Sequence, residues 1–406
     1  MVYIGRQLGA ENLGRLGVVQ TTVNLVGGLA GISLGLTSTK YVAEFRATDR
    51  SRAGRSIGLA FLIAMGASCA LGIGLLTSAS WMARTLLHSP GMASILRLGA
   101  IWVVCVVVNA EQVGVLVGLE DFKMIAKLNV IRGTLVLIGG GMGAANGGLL
   151  GTVIGLAGAS CLQCVITAKQ VHDRCDRMGI QVVYFSAQHD MAMVTTFAIP
   201  STLSGLLSLP VNWLGPVILV NQPGGYIAMG LFNAANHWRA AVCFPSSGFS
   251  QICLPLLAGY AGKRDKAAYR KGLVVAVAAM MIPTVGIAAV LCAGTGTLVR
   301  LYGDGFGSAR PVFLIVIVTA VVSTLDSTLG IVLSSLGKMW LLTSLTALWA
   351  GVTIGLCCWW IPEFKAVGLA AAFLAGYVVE VAVRGWQTRR TVSTAGTNGA
   401  LAWSQV

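Results

Sequence analysis

Charged side chains are what this sequence has least of. Only 10% of its 406 residues are Asp, Glu, Lys or Arg, against about 25% in a soluble globular domain, too few to cover an ordinary water-facing surface. Acids are the scarcer sign, 14 against 28 bases, which leaves a formal net charge of +14. Histidine occurs four times, at His88, His172, His189 and His237, too scattered for a metal motif. The ten cysteines are dispersed, and Cys161 and Cys164 form a C-x-x-C inside an apolar run with no second pair, which reads as packing. No G-x-x-x-x-G-K-[ST] loop occurs, which excludes P-loop nucleotide hydrolysis. The short connections GAANGG (143–148) and NQPGG (221–225) hold no titratable group, which argues against a membrane-embedded glycan enzyme. No catalytic residue, metal or cofactor is expected.

Apolar sequence is what there is in quantity. With 56% hydrophobic residues and a mean hydropathy of +0.80, disorder, a disulfide scaffold and a soluble enzyme are excluded, and an all-α integral membrane protein is expected. A helix needs about 20 mainly apolar residues to cross the hydrocarbon core. Eleven such runs are found: Arg15–Leu36, Ile57–Leu76, Ile95–Leu119, Ala126–Ala144, Leu149–Ala168, Val194–Val220, Gly225–Leu257, Gly272–Leu291, Ala309–Leu336, Trp340–Trp360 and Ala366–Val383. The 52 glycines include small-residue pairs such as Gly139–Gly143 and Gly147–Gly151, suited to close helix approach in lipid. The stretch from Gly385 to Val406 reads as a solvated or disordered tail.

The basic residues set an orientation. If Thr37–Arg55 is cytoplasmic, twenty of the 28 Lys and Arg fall on that side and seven on the other, leaving Arg239 inside a helix. That bias is the positive-inside rule. It accounts for the +14 without a nucleic-acid partner, and membrane lipids are the expected surroundings.

Sliding the chain against itself gives a weak match at an offset of 216 or 217. Gly14 falls on Gly230, Asp49 on Asp265, Arg50 on Lys266, Arg55 on Lys271 and Gly151 on Gly368. Six spans per half is even, so the halves are expected as parallel repeats, an arrangement known in secondary transporters. The expected division is an N-terminal lobe (1–180), a C-terminal lobe (181–384) and a cytoplasmic tail (385–406). The counterpart of Val194–Val220 falls before residue 1, so the expectation is about eleven complete spans, with most of a first helix, roughly 25 residues, missing. A mis-set start, a truncation and a true loss stay open.

Several segments resemble a known family. GRQLGAENLGRLGVVQ (5–20) resembles the first-to-second helix junction of the polysaccharide and O-antigen flippases, and TSTKYVAEFRA (37–47) resembles their next cytoplasmic entry. GLFNAANHWRAAVCFPSSGFSQICLPLLA (230–258) is similar to their glycine-Tyr/Phe-Asn-Ala-Ala helix, and LYGDGFGSARPVF (301–313) resembles the stretch before their tenth helix. These proteins belong to the multidrug/oligosaccharide-lipid/polysaccharide (MOP) exporter superfamily. The resemblance implies two six-helix lobes around a central cavity in the cell (inner) membrane. It implies translocation of a polyprenyl-diphosphate-linked oligosaccharide by alternating access, in lipopolysaccharide or other surface polysaccharide biosynthesis, with cationic and polar residues lining the cavity. A polysaccharide polymerase and glycosyltransferases are the implied partners. The alternatives are an ion-coupled drug or metabolite antiporter of the same superfamily, which would favour an acidic cavity, and an inactive truncated homologue.

Within the spans, few polar residues stand out. An arginine at mid-bilayer costs about 2.5–3.5 kcal/mol on insertion scales, which makes it a functional candidate. Arg239 lies about 18 Å into its helix, and Asn233 and Asn236 precede it at three-residue steps on one broad face. A guanidinium with two amides suits phosphate oxygens and sugar hydroxyls. The competing reading is a structural arginine that caps carbonyls freed at Pro245 or pairs with a carboxylate. Asn212 and Trp213, between Pro210 and Pro216, mark a kinked helix that lines the cavity or anchors at the interface. Glu111 and Asp326 occupy nearly equivalent places in the repeat, and a carboxylate in the bilayer can carry a proton or hold a cation. Coupling to H⁺ or Na⁺ is one reading. A packing hydrogen bond, or compensation of Arg239, is the other. Glu380, four residues before Arg384, has the spacing of an ordinary helix ion pair.

Overall fold

The computed structural model describes residues 1–184, 207–262, 266–335 and 338–397. Among the described residues the chain is helical and contains no strand. In order the helices are α1 (Val2–Phe45), α2 (Arg50–Trp81), α3 (Met92–Gly118), α4 (Phe122–Arg177), α5 (Leu209–Val220), α6 (Gly225–Gly262), α7 (Lys266–Ala293), α8 (Thr295–Tyr302), α9 (Arg310–Ser335) and α10 (Met339–Thr397). A π-helical turn, Met82–Leu86, extends α2, and a 3₁₀ turn, Asp304–Ala309, precedes α9. Seven helical stretches among the described residues are long and apolar enough to cross a membrane. The protein is a multi-pass membrane protein. Of the expected span Val194–Val220, only Leu209–Val220 lies within the described residues.

Two of the helices are too long to be single crossings. A straight helix of the 56 residues of α4 would run about 84 Å, nearly three times a hydrocarbon core of about 30 Å. The chain solves this at Gly147 and Gly148, where φ/ψ of −136°/15° and 54°/−137° break the helix. The two arms then fold back on each other. A Cβ on Gly143 or Gly151 would collide with the other residue's carbonyl oxygen, and one on Gly139 would lie 2.6 Å from the Gly155 oxygen. Gly139, Gly143, Gly151 and Gly155 therefore act between the arms, where lipid offers no hydrophobic drive and close backbone packing holds helices together. The expected spans Ala126–Ala144 and Leu149–Ala168 lie in these two arms. The 59-residue α10 breaks in the same manner at Lys365 (φ/ψ 49°/−120°), bringing Gly368 against the Trp360 carbonyl. It also runs on to Thr397, so the stretch from Gly385, expected as a solvated tail, begins as helix.

The chain divides into two compact units, Tyr3–Val217 with Met1, and Ile218–Val406 with Val2. In the first, α1 lies on α3 through glycines spaced one helical turn apart. A Cβ on Gly27, Gly31 or Gly35 would meet Val106, Ala110 or the Ala110 carbonyl at 3.1, 3.3 and 2.8 Å, and Gly114 of α3 packs directly on Gly35. At one end of this unit the connecting turns are tied by side chains. Asp49 and Asp121 cap α2 and α4 by accepting from the amides of Arg52 (2.9 Å) and Met124 (3.2 Å). Arg46 pairs with Glu120 at 2.6 Å and Arg174 with Asp121 at 3.2 Å. Arg46 holds the exposed Glu120 carboxyl below its ordinary range. In the second unit, α9 packs against α6, α7 and α10.

Three left-handed backbone positions of the first unit recur in the second at nearly the offset of the sequence match. Gly9 and Gly224 share φ 72°, His88 (φ 46°) answers to Gly303 (φ 97°), and Gly148 (φ 54°) answers to Lys365 (φ 49°).

Candidate functional site

Arg239 lies in the interior of α6, about 20 Å along the axis from Gly225, and is half-buried. Its Nη2 donates to the Tyr377 hydroxyl at 3.3 Å, and its guanidinium carbon sits 5.5 Å from the centre of the same ring. Its Nε is buried without a partner, and among the described residues it forms no ion pair. Among the described residues no carboxylate pairs with it. A hydrogen bond from a charged donor is worth about 1.5–3 kcal/mol and a cation–π contact about 0.5–2 kcal/mol, so Tyr377 is a substantial partner for this guanidinium. Among the described residues its other N–H donors have no hydrogen-bond partner. Along the same helix, Asn236 is half-buried and Asn233 buried.

Asn212 and Trp213 belong to α5. Asn212 is exposed and its Nδ2 donates to the Ser208 carbonyl at 2.9 Å. Trp213 is half-buried, and its indole Nε1 donates to Thr22 Oγ1 of α1 at 3.0 Å. That bond makes Trp213 a tie between α5 and α1 within the first unit.

The two buried acids have unlike partners. Glu111 (2% exposed) accepts from Ser38 Oγ at 3.2 Å, joining α3 to α1, and no cation pairs with it among the described residues. Asp326 of α9 accepts from Arg384 Nη1 at 2.6 Å. Arg384 Nη2 reaches Glu380 and donates to Thr346 Oγ1 at 3.0 Å. Asp326 therefore compensates Arg384 and not Arg239. The Glu380–Arg384 pair, expected from its spacing as an ordinary helix ion pair, is buried, with the Arg384 side chain 6% and the Glu380 side chain 3% exposed. Arg384, counted from the sequence among the cytoplasmic-side cations, is inside the second unit. Asp326 stands to Glu111 as Gly224 stands to Gly9, at one and the same offset. Glu380 and Arg384 stand to Gln163 and Thr167 as Lys365 stands to Gly148. The first unit has a neutral amide and a hydroxyl where the second has a carboxylate and a guanidinium.

Sequence reasoning missed Tyr377 and Thr346, since nothing local ties either to residues 138 and 38 positions away. It also missed Cys105, whose Sγ lies 3.1 Å from that of Cys161 and whose carbonyl accepts from Cys164. The C-x-x-C thus packs against a third thiol on α3. Among the described residues no cluster of side chains could hold a metal ion.

No family model matches the chain, and no curated protein does. Solved structures do. The chain is similar to an inward-facing multidrug-resistance transporter of the MATE family in the MOP superfamily, at TM-score 0.81 and 14% identity over 98% of this chain and 95% of the other. It is similar to the outward-facing conformation of such a transporter at TM-score 0.66 and 14% identity, covering 97% and 96%. A MOP superfamily transporter from Pyrococcus furiosus Vc1, described as having a binding pocket of reverse polarity that suggests a different function, matches at TM-score 0.71 and 15% identity over 96% and 91%. The shared property at these identities is the fold, that of MATE transporters of the MOP superfamily.

Proposed function

We propose that this chain is a MOP-type transporter that moves a polyprenyl-diphosphate-linked oligosaccharide across the cell (inner) membrane by alternating access, for surface polysaccharide biosynthesis. The observation that carries the reading is Arg239, a guanidinium in the interior of α6 held by Tyr377 alone among the described residues. A diphosphate supplies the anion that such a group lacks, and the guanidinium fork binds phosphate oxygens in pairs. Asn233 and Asn236 add amides for sugar hydroxyls on the same helix. The recurrence of three backbone breaks at nearly the offset of the sequence match supports reading the two units as parallel six-helix repeats. The pocket of reverse polarity described for the Pyrococcus furiosus transporter is a precedent for a MOP superfamily transporter whose pocket suggests a different function.

A second reading, a cation-coupled drug antiporter, draws on Glu111, a buried acid without a cation partner among the described residues. The two separate in proteoliposomes. The probes are a fluorescent polyprenyl-diphosphate N-acetylglucosamine and a lipophilic dye cation. The first reading expects protein-dependent transfer of the labelled lipid, lost about tenfold or more in Arg239→Ala and partly kept in Arg239→Lys. Transfer of the dye alone, dependent on Glu111 and indifferent to Arg239, overturns it.

A further inference from the structure

The first unit contains a cavity of about 460 Å³, within the range of small-ligand sites. It lies among α1, α3 and α4 and uses residues of this unit alone. One stripe of α4 faces it, Ile125, Leu128, Asn129, Arg132 and Val136, spaced at three to four residues as one helix face requires. Across from that stripe, Asn109 of α3 and Gln163 of the second α4 arm line the same space.

Its chemistry is specific. Arg132 is exposed and has no ion-pair partner among the described residues. It lies about 7–8 Å deeper along the helix than Lys127. Gln163 is only 5% exposed. Its amide Nε2 donates to the Leu128 carbonyl and to Thr167 Oγ1, both at 3.3 Å, so the side chain is fixed. Its Oε1 is buried and accepts nothing. A buried carbonyl oxygen left without a donor is costly, and this one belongs to a residue lining an open cavity. Asn109 donates to Thr167 at 3.2 Å, so the two amides are anchored on one hydroxyl. Thr39, Cys105 and Ser160 also line it, and the rest of the wall is glycine or aliphatic.

We infer that this cavity is a binding site for an anionic lipid headgroup, a phosphate ester bearing free hydroxyls on an apolar tail. The phosphate takes Arg132, a headgroup hydroxyl donates to Gln163 Oε1, and the tail leaves along the aliphatic wall. At the positions of the second unit that answer to Gln163 and Thr167, Glu380 and Arg384 pair with each other and Arg384 also pairs with Asp326, whereas in the first unit the Gln163 Oε1 has no donor. Two sources supply this chemistry, a bulk phospholipid such as phosphatidylglycerol and a glycosylated polyprenyl phosphate. The inference does not depend on transport, nor on Arg239.

The test is native mass spectrometry of the full-length, delipidated protein titrated with four lipids. These are phosphatidylglycerol, phosphatidylethanol (the same charge without a hydroxyl), phosphatidylcholine, and a polyprenyl-phosphate N-acetylglucosamine. The wild type is expected to retain phosphatidylglycerol over phosphatidylethanol, and both over phosphatidylcholine by about tenfold. Arg132→Ala should abolish the preference for charge, and Gln163→Met the preference for hydroxyl. Arg310→Ala, an exposed arginine in the second unit, should change neither. Arg132→Lys, which keeps a point charge, serves if the alanine variant does not fold, and is expected to weaken the preference without removing it. A dominant polyprenyl glycolipid identifies the occupant as that lipid, and dominant phosphatidylglycerol identifies a phospholipid. Equal retention of all four lipids, or preferences unmoved by Arg132 and Gln163, overturns the inference. A failure of transport with these preferences intact would count only against the proposed function.

Discussion

Lys365 holds nearly the backbone conformation of Gly148, its counterpart in the first unit, with φ/ψ of 49°/−120° against 54°/−137°. Each turns a helix back on itself. In each case the residue three further on, Gly368 or Gly151, is pressed against the carbonyl of the residue five before the break, Trp360 or Gly143.

This region of positive φ belongs to glycine, and a residue with a side chain held there costs about 1–3 kcal/mol. Lys365→Gly is expected to raise the thermal unfolding midpoint in detergent, by about 1 kcal/mol in stability, because removal of strain outweighs the added freedom of the unfolded chain. Gly148→Ala should lower it, although a Cβ there meets nothing within 4 Å, since the loss is conformational. Tryptophan-fluorescence melting checks both, and an unchanged midpoint for Lys365→Gly would refute the strain.

The α4 hairpin offers a sharper pair. A Cβ on Gly155 would collide with the Gly139 carbonyl, whereas one on Gly158, a single turn further and facing outward, has open space. Gly155→Ala should destabilise by about 1–3 kcal/mol through forced separation of the arms. Gly158→Ala should be neutral or stabilising by up to about 1 kcal/mol from helix propensity. Equal effects in the two melting curves would show that the arms do not touch there.

Asp326, Arg384 and Glu380 form a buried network in which one guanidinium serves two carboxylates. Removing one partner of a buried pair strands the other and costs about 3–5 kcal/mol. Asp326→Ala is therefore expected to be among the most damaging changes in the second unit, and Glu380→Gln much milder, because Arg384 keeps Asp326 and Thr346. Expression level and detergent melting of the two variants read the order, and a reversed order would contradict the geometry.

The helices were legible because hydropathy is summed along the chain. Arg239 stood out for the same reason, a charge in an apolar run. The break at Gly148 was legible in GAANGG, a cluster of turn formers. Its twin at Lys365 was not, because a lysine gives no local sign that it sits at positive φ. The Glu380–Arg384 spacing predicted a pair but not its burial, which depends on Asp326, 58 residues away in sequence from Arg384. The Gln163 cavity left no mark on the sequence at all, since its walls come from three helices.

By itself the sequence determined that this chain lives in a membrane as a set of helices. Too few charges and too many apolar residues leave no alternative, and in lipid the backbone must satisfy its own hydrogen bonds. Only the tertiary structure decided which intramembrane charges are answered. Arg384 is answered twice over and Arg239 by a tyrosine. Whether a buried charge has a partner is set by distances between helices, and those distances exist only once the small residues have let the helices close.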